Sequence, residues 1–155
     1  MYKKALLFLW AGSSFAFAQT SSVAITTGQY NTARTSSTSN ELLLNSSDVN
    51  VNQFGKLMSW NVDGWVFAQP LYVPGVSING VVKNVVYVAT MHNSVYAFDA
   101  DHPGAGPLWT TNFEQSVTAP TANGCPAQSF TGPELGILST PVVDQNSNTL
   151  YAVSA

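Results

Sequence analysis

Side chains that could carry acid–base or metal chemistry are few in this sequence and lie far apart. The two histidines, His92 and His102, each stand in a predicted turn, without a second ligand at metal-binding spacing or a nucleophile nearby. We interpret both as exposed turn residues. The sequence therefore predicts no catalytic residue and no metal ligand in this chain.

Two aspartates come close together in Asp99-Ala100-Asp101-His102, which has a passing likeness to a calcium-binding loop. The further ligands at alternating positions and the closing glutamate of such a loop are missing, so Asp99 and Asp101 are interpreted as structural turn residues. Glu134 is a lone acid between glycines, in Gly132-Pro133-Glu134-Leu135-Gly136, and we expect it to order a loop.

Cys125 is the single cysteine, which excludes a disulfide within the chain and a cysteine-based metal site. Two interpretations stay open. Cys125 is either a thiol without a role or one half of a disulfide whose partner lies on sequence outside this chain.

The first residues have the pattern of a secretory signal peptide. A basic start at Lys3 and Lys4 precedes an apolar run, and Ala16-Phe17-Ala18 supplies the small-x-small pattern that signal peptidase reads. We predict that residues 1–18 are the signal peptide, cleaved before Gln19; an uncleaved anchor is the alternative. The protein is then exported to a periplasm, the cell surface or the medium. No later stretch has the roughly 20 apolar residues of a membrane-spanning helix.

Charge is sparse and mostly acidic. Charged residues make up 8% of the sequence, and the formal net charge is -3. Without the signal peptide, three basic residues stand against eight acidic ones, so no basic patch can neutralise phosphates. This composition argues against nucleic acid and against anionic membrane surfaces as partners.

Secondary-structure patterns divide the remaining chain into two parts. Residues 19–54 are rich in Ser and Thr and predict an irregular lead-in. Residues 55–155 have β patterns almost throughout and no convincing helical period, so the predicted fold class is all-β. The predicted strands span 56–62, 65–73, 85–90, 95–98, 108–113, 137–144 and 149–153, and the predicted long loops span 74–83 and 116–133.

A pattern in the first half of the β region returns in the second half. Gln69–Val73 followed by Val86–Ala89 corresponds to Thr140–Asp144 followed by Leu150–Val153. Repeats at periods of a few tens of residues are typical of solenoids and propellers.

The stretch from Pro70 to Trp109 resembles the PQQ-like (pyrroloquinoline-quinone-like) repeat of quinoprotein alcohol dehydrogenases and of related non-enzymatic β-propellers. The matching residues are Pro70, Val86-Tyr87-Val88, Val95-Tyr96-Ala97-Phe98-Asp99, Gly104 or Gly106, Trp109 and, in the second copy, Pro141 and Tyr151. The resemblance implies a partial β-propeller over residues 55–155, with about one four-stranded blade and the first strands of the next. In such a blade Asp99 accepts backbone N–H bonds, a glycine takes a conformation closed to other residues, and Trp109 packs between blades.

Propellers close with about four to eight blades, so a lone blade leaves strand edges and an apolar face exposed. We therefore expect the chain to be a piece of a longer protein whose remaining blades complete it. A short chain completed by self-association is the alternative.

Two functions follow from the resemblance. In the dehydrogenases PQQ and calcium lie on the propeller axis, and two adjacent cysteines often cover the quinone. Phe67 stands where many of them have a glutamate, and this chain has no cysteine pair. No cofactor is evident in this chain, and we favour an exported scaffold that binds a protein or a carbohydrate. The alternative is the N-terminal part of a PQQ-dependent dehydrogenase whose cofactor and calcium ligands lie on sequence outside this chain.

Overall fold

A computed structural model describes residues 23–39, 44–102, 104–118 and 134–155. These residues form antiparallel sheets and no helix, which confirms the all-β class. The strands are β1 (Leu71–Ile78), β2 (Val81–Ala89), β3 (Ser94–Asp99), β4 (Trp109–Asn112), β5 (Val117–Thr118), β6 (Glu134–Leu135), β7 (Val142–Asp144) and β8 (Thr149–Tyr151). No helix in this part of the chain is long and apolar enough to cross a bilayer. The predicted signal peptide and Cys125 lie outside the described residues.

Strands β1 to β4 form one sheet in which each strand pairs with the next along the chain. β1 and β2 meet in a two-residue turn, where Asn79 and Gly80 have φ of 51° and 79°. Positive φ at both positions is the type I′ geometry that Asn-Gly favours, and it matches the twist of a hairpin. The predicted loop over residues 74–83 was therefore wrong. Both strands continue through it, with an irregularity in β1 between Val73 and Val76.

The predicted strand over residues 56–62 was also wrong, because these residues pair with no strand in the described part of the chain. Trp60 instead stacks on Phe98 of β3, with ring centroids 4.7 Å apart and an angle of 13° between the planes. Further along, the Asp63 N–H donates to Tyr96 Oη at 3.1 Å. This segment therefore covers the face of the sheet that carries Tyr96 and Phe98.

The two short sheets are β5 with β6 and β7 with β8. Residues 116–133 were predicted as a loop without periodicity, but Val117–Thr118 in fact pairs with β6. In the β7–β8 hairpin, Val142 pairs with Tyr151 and Asp144 with Thr149. Two strands alone bury little surface, so this hairpin needs the larger sheet for stability.

The core lies between the four-stranded sheet and the β7–β8 hairpin. Its centre consists of buried apolar side chains from β1, β2 and β3 together with Val143 of β7. Leu71, Val85 and Ala97 are each at most 1% exposed. Burial of such side chains contributes roughly 25 cal/mol for each Å² of apolar surface removed from water, which makes this contact the main support of the hairpin.

An N-terminal segment joins the two sheets. Ile25 exchanges two backbone hydrogen bonds with Tyr72 of β1, at 2.7 and 3.1 Å. The next carbonyl, of Thr26, accepts the N–H of Val143 in β7 at 2.8 Å. Part of the predicted irregular lead-in thus lies between β1 and β7 and blunts the outer edge of β1.

The repeat seen in the sequence is present in the pairing register. Leu71, which follows Pro70, pairs with Tyr87, and Val142, which follows Pro141, pairs with Tyr151. The residues before the two prolines also meet, because the Gln69 N–H donates to Thr140 Oγ1 at 2.9 Å. Equivalent positions of the two copies therefore lie side by side.

Candidate functional site

The densest group of polar side chains surrounds the turn between β2 and β3. Thr90 and Ser94 are at most 1% exposed, and buried hydroxyls need hydrogen-bond partners. Asp63 supplies them, with Oδ1 accepting from Thr90 Oγ1 at 2.8 Å and Oδ2 accepting from Ser94 Oγ at 2.6 Å. Both carboxylate oxygens of Asp63 thus hold the turn in place.

An ion pair links this turn to β6. His92 Nδ1 lies 2.8 Å from Glu134 Oε2, and Ser116 Oγ donates to the same oxygen at 2.6 Å. The side chains of His92 and Glu134 are 48% and 23% exposed, so both are reached by water. Glu134 therefore connects the β2–β3 turn with the residues that lead into β5, which agrees with a loop-ordering role.

These contacts move the pKa values of both partners toward the charged forms. The hydroxyl of Ser116, and then the ring of His92, lower the pKa of Glu134 below 4.5. The hydrogen bond to Glu134 raises the pKa of His92 above 6.5. Between these values both side chains carry charge, and the pair attracts most strongly.

Two glycines allow the surrounding segments to approach the turn. Gly64 has a φ of +61°, and a Cβ there would lie 2.9 Å from the backbone nitrogen of His92 and 3.1 Å from Glu134 Oε1. Gly136 is closer still, because a Cβ would lie 2.1 Å from the Met91 carbonyl oxygen. No other residue fits position 136 without moving the backbone of the turn.

Asn93 lies in the β2–β3 turn, and its backbone has the left-handed conformation, with φ of 58°. Its Nδ2 donates to the carbonyl of Ala155 at 2.7 Å, while its Oδ1 is buried without a hydrogen-bond partner among the described residues. Asn112 of β4 closes the other side, because its Nδ2 donates to the carbonyl of His92 at 2.8 Å and to Ser94 Oγ at 2.9 Å.

A second polar group lies at the far end of the sheet, around Asp99. Lys83 Nζ and His102 Nδ1 lie 2.6 and 3.0 Å from its Oδ2. The Asp101 N–H donates to its Oδ1 at 3.1 Å, which is the backbone bond predicted for this aspartate. Lys83 is the main cause that lowers the pKa of Asp99 to about 2. Asp101 accepts instead from Asn84 Nδ2 at 2.9 Å.

The motif residues are spread over the fold and do not form one site. Tyr87 and Trp109 are in contact, with ring centroids 5.8 Å apart, and Trp109 packs against both core clusters. Gly104 has a φ of +95°, a conformation that residues other than glycine rarely adopt. Their contacts are packing and turn contacts.

Part of the cluster around the β2–β3 turn has no signature in the sequence. Asp63 lies between the predicted strands over residues 56–62 and 65–73, and Ser116 begins a predicted loop. Neither has a neighbour in sequence that points to Glu134 or to Ser94. Only the packing of the segments against the β2–β3 turn brings these side chains together.

The chemistry open to the cluster is limited by its connections. Glu134 stands between Ser116 and His92, so the serine contacts the acid rather than the imidazole. In a Ser-His-acid triad the serine contacts the imidazole, and this order does not provide that contact. Among the described residues, no three His, Cys, Asp or Glu side chains are grouped so that they could hold a metal ion. The cluster is built to fix loops and to offer polar groups at a surface.

Comparisons with protein-family models, with curated proteins and with solved structures found no match.

Proposed function

We propose that this chain is part of an exported β-propeller of PQQ-like repeats and that the propeller acts as a scaffold that binds a protein or a carbohydrate. The observation that carries this proposal is the shared register of the two copies. Leu71 pairs with Tyr87 as Val142 pairs with Tyr151, and the two copies lie side by side. Adjacent repeated β units with equivalent pairing are what a propeller requires.

An exposed aromatic pair supports a binding role. Trp65 and Phe67 are 53% and 44% exposed, and their rings stack with centroids 6.1 Å apart and 21° between the planes. Val66 between them is 42% exposed. Aromatic side chains that reach water are favoured at interfaces because a large apolar face is available to a partner.

The neighbouring polar groups add hydrogen-bonding capacity. The Trp65 carbonyl accepts the Met91 N–H at 2.8 Å, which fixes the aromatic segment to the β2–β3 turn. His92 and Glu134, both partly exposed, lie on that same turn and its neighbour. An apolar ring face next to charged hydrogen-bonding groups suits a sugar or a peptide with both kinds of surface.

The alternative is the N-terminal part of a PQQ-dependent dehydrogenase. The described residues do not fit a calcium site, because no three acidic, histidine or cysteine side chains group together among them. Phe67, at the position where the resemblance predicts a glutamate, has no oxygen on its side chain. We therefore derive no quinone chemistry from these residues.

Titrations of the whole protein test the proposal. Neutral soluble polysaccharides and PQQ with Ca²⁺ are added separately while tryptophan fluorescence and quinone absorbance are followed. We expect saturable polysaccharide binding that weakens about fivefold in Trp65→Ala, since a lost stacking contact is worth about 1 kcal/mol. Leu57→Ala, at a residue that is 88% exposed, is the control and leaves binding unchanged.

Saturable binding of PQQ that depends on Ca²⁺, together with reduction of a dye by an alcohol, would replace the scaffold with the dehydrogenase. Export is tested separately by the N-terminus of the secreted protein, which we expect to begin at Gln19.

A further inference from the structure

Two dipeptides in the described part of the chain have a composition that favours spontaneous ring closure in the main chain. They are Asn79-Gly80, in the β1–β2 turn, and Asp63-Gly64, which packs against the β2–β3 turn. In both, the main-chain nitrogen of the glycine can attack the side-chain Cγ of the preceding residue and form a succinimide ring. Glycine permits this reaction because it has no side chain to hinder the necessary rotation of the backbone.

The contacts of Asp63 and Gly64 hold this dipeptide back from ring closure. Both carboxylate oxygens of Asp63 accept hydrogen bonds from buried hydroxyls, Oδ1 from Thr90 and Oδ2 from Ser94. A Cβ on Gly64 would lie 2.9 Å from the backbone nitrogen of His92, so the backbone has little room to rotate. Attack on Asp63 Cγ therefore requires the turn contacts to open first.

Asn79 and Gly80 lie in open space at the tip of their hairpin. The pairing of β1 with β2 ends at Ile78 and Val81, so the Gly80 N–H lies outside the ladder. Asn79 and Gly80 are both exposed, and a Cβ on Gly80 would meet no atom within 4 Å. The backbone at this tip can therefore rotate without disturbing a neighbouring segment.

We propose that Asn79 is a site of spontaneous covalent modification, at which the folded protein deamidates to aspartate and isoaspartate while Asp63 keeps its normal linkage. The nitrogen of Gly80 forms a bond to Cγ of Asn79, the bond from Cγ to Nδ2 breaks, and the Gly80 proton leaves with that nitrogen as ammonia. Water then opens one of the two C–N bonds of the ring. Opening at Cγ gives aspartate, and opening at the main-chain carbon gives isoaspartate.

The modification changes the charge and the geometry of the hairpin tip. Either product adds one negative charge to a protein whose formal net charge is already -3. Isoaspartate also adds one carbon to the main chain of a two-residue turn, which removes the type I′ geometry. Pairing of Ile78 with Val81 should weaken, while Leu71 and Tyr87 at the other end stay paired. This modification is independent of the proposed function, because it requires only the hairpin.

Peptide mapping of the whole folded protein tests the proposal. The protein is incubated in warm, mildly alkaline buffer, digested with chymotrypsin and analysed by mass spectrometry with fragmentation that separates isoaspartate from aspartate. We expect the peptide that contains Asn79 to become heavier, by the difference between a hydroxyl and an NH₂ group, and to yield both products. The peptide that contains Asp63 should have no isoaspartate after the same time. Asn123-Gly124, which lies outside the described residues, falls in a different peptide.

The same measurement on protein unfolded in urea shows what the fold contributes at each site. Unfolding should speed isoaspartate formation at Asp63 about tenfold or more, equivalent to about 1.4 kcal/mol in the barrier, because two hydrogen bonds no longer oppose it. At Asn79 the rate should change by less than about threefold, since an exposed turn opens at little cost in free energy.

Asn79→Gly is the matched variant, because Gly-Gly also adopts the type I′ turn but has no side-chain amide to lose. Its peptide should keep a constant mass. Amide exchange at Val81 should quicken during incubation of the wild type and stay constant in the variant. A gain in mass that persists in the variant would come from Asn84, in the same peptide, and would overturn the assignment to Asn79.

Two further results would overturn the proposal. The first is an Asn79 peptide of constant mass in the folded protein, together with rapid deamidation in urea, which would mean that the turn protects Asn79. The second is isoaspartate at Asp63 that forms equally fast in the folded and the unfolded protein, which would mean that the contacts with Thr90 and Ser94 do not distinguish the two sites.

Discussion

The two copies of the repeat share their pairing but differ sharply in burial. Tyr87 is 9% exposed and its counterpart Tyr151 is 58% exposed. Leu71 and its counterpart Val142 are 1% and 45% exposed. Both hairpins form the same register, so pairing is encoded within each hairpin. Burial is not encoded within each hairpin, because it depends on what packs against each copy.

The largest effect should come from equivalent truncations in the two copies. Leu71→Ala removes a fully buried side chain and should cost about 2–5 kcal/mol, through lost burial and a cavity. Val142→Ala, at the equivalent position of the second hairpin, should stay within about 0.5 kcal/mol. The measurement is denaturant unfolding of both variants by tryptophan fluorescence. Equal losses would mean that the two copies are buried alike in solution.

A smaller loss is expected at the junction between the copies. Gly136→Ala places a Cβ 2.1 Å from the Met91 carbonyl oxygen, so the turn must shift, at about 1–3 kcal/mol. Gly106→Ala is the matched control, because nothing lies within 4 Å of a Cβ there. Amide exchange of the β2–β3 turn should quicken only in the first variant. An unchanged turn in Gly136→Ala would contradict the close approach.

Asp63→Asn tests whether the polar contacts at the turn stabilise the first copy. Asparagine keeps one acceptor for two buried hydroxyls, so we expect a loss of about 1–2 kcal/mol. Glu114→Gln is the control, since Glu114 is exposed and only its backbone N–H takes part in a described hydrogen bond. The same unfolding measurement applies. A loss no larger than that of the control would show that Thr90 and Ser94 do not depend on the charge.

The smallest effect is a pH dependence of the link between His92 and Glu134. The raised pKa of His92 gives stability that is present below pH 6.5 and is lost as the pH rises through the pKa of His92 in the folded protein. The lowered pKa of Glu134 gives stability that is present above pH 4.5 and is lost as the pH falls through the pKa of Glu134 in the folded protein. The contribution is therefore greatest between pH 4.5 and 6.5.

Unfolding midpoints of the wild type and of His92→Gln, measured across this range, check the prediction. The variant should have a flatter profile, because one charge of the pair is missing at every pH. Glu134→Gln should flatten it in the same way. Identical profiles in all three proteins would show that the pair adds no stability.

Part of this fold was readable from the sequence. Val85–Ala89 and Val95–Phe98 are rich in β-branched and aromatic residues and form the centre of the sheet. Asn79-Gly80 is an equally strong local signal, of a hairpin turn. It nevertheless falls within the loop predicted over residues 74–83, because Pro74 and Gly75 precede it. The bulge that carries β1 past those two residues has no signature that separates it from a loop.

The remaining errors have a tertiary cause. Residues 56–62 alternate like a strand, yet a strand needs a partner, and Trp60 finds the ring of Phe98 instead. The cluster around the β2–β3 turn unites Asp63, His92, Ser116 and Glu134, which are distant in sequence. Nothing local specifies such contacts, so sequence patterns predict only the turn or loop in which each residue lies.

The hydrogen bonds of Ile25 and Thr26 have a consequence for the order of folding. Ile25 can pair with Tyr72 early, but Thr26 waits for Val143, which is synthesised much later. Contacts between residues so far apart must overcome a large loop-closure entropy, and they form slowly. The lead-in can therefore cover the edge of β1 early, but until Thr26 binds Val143 the edge of β7 is an unprotected template for other strands. We expect aggregation to be governed by this delay more than by the strength of the finished core.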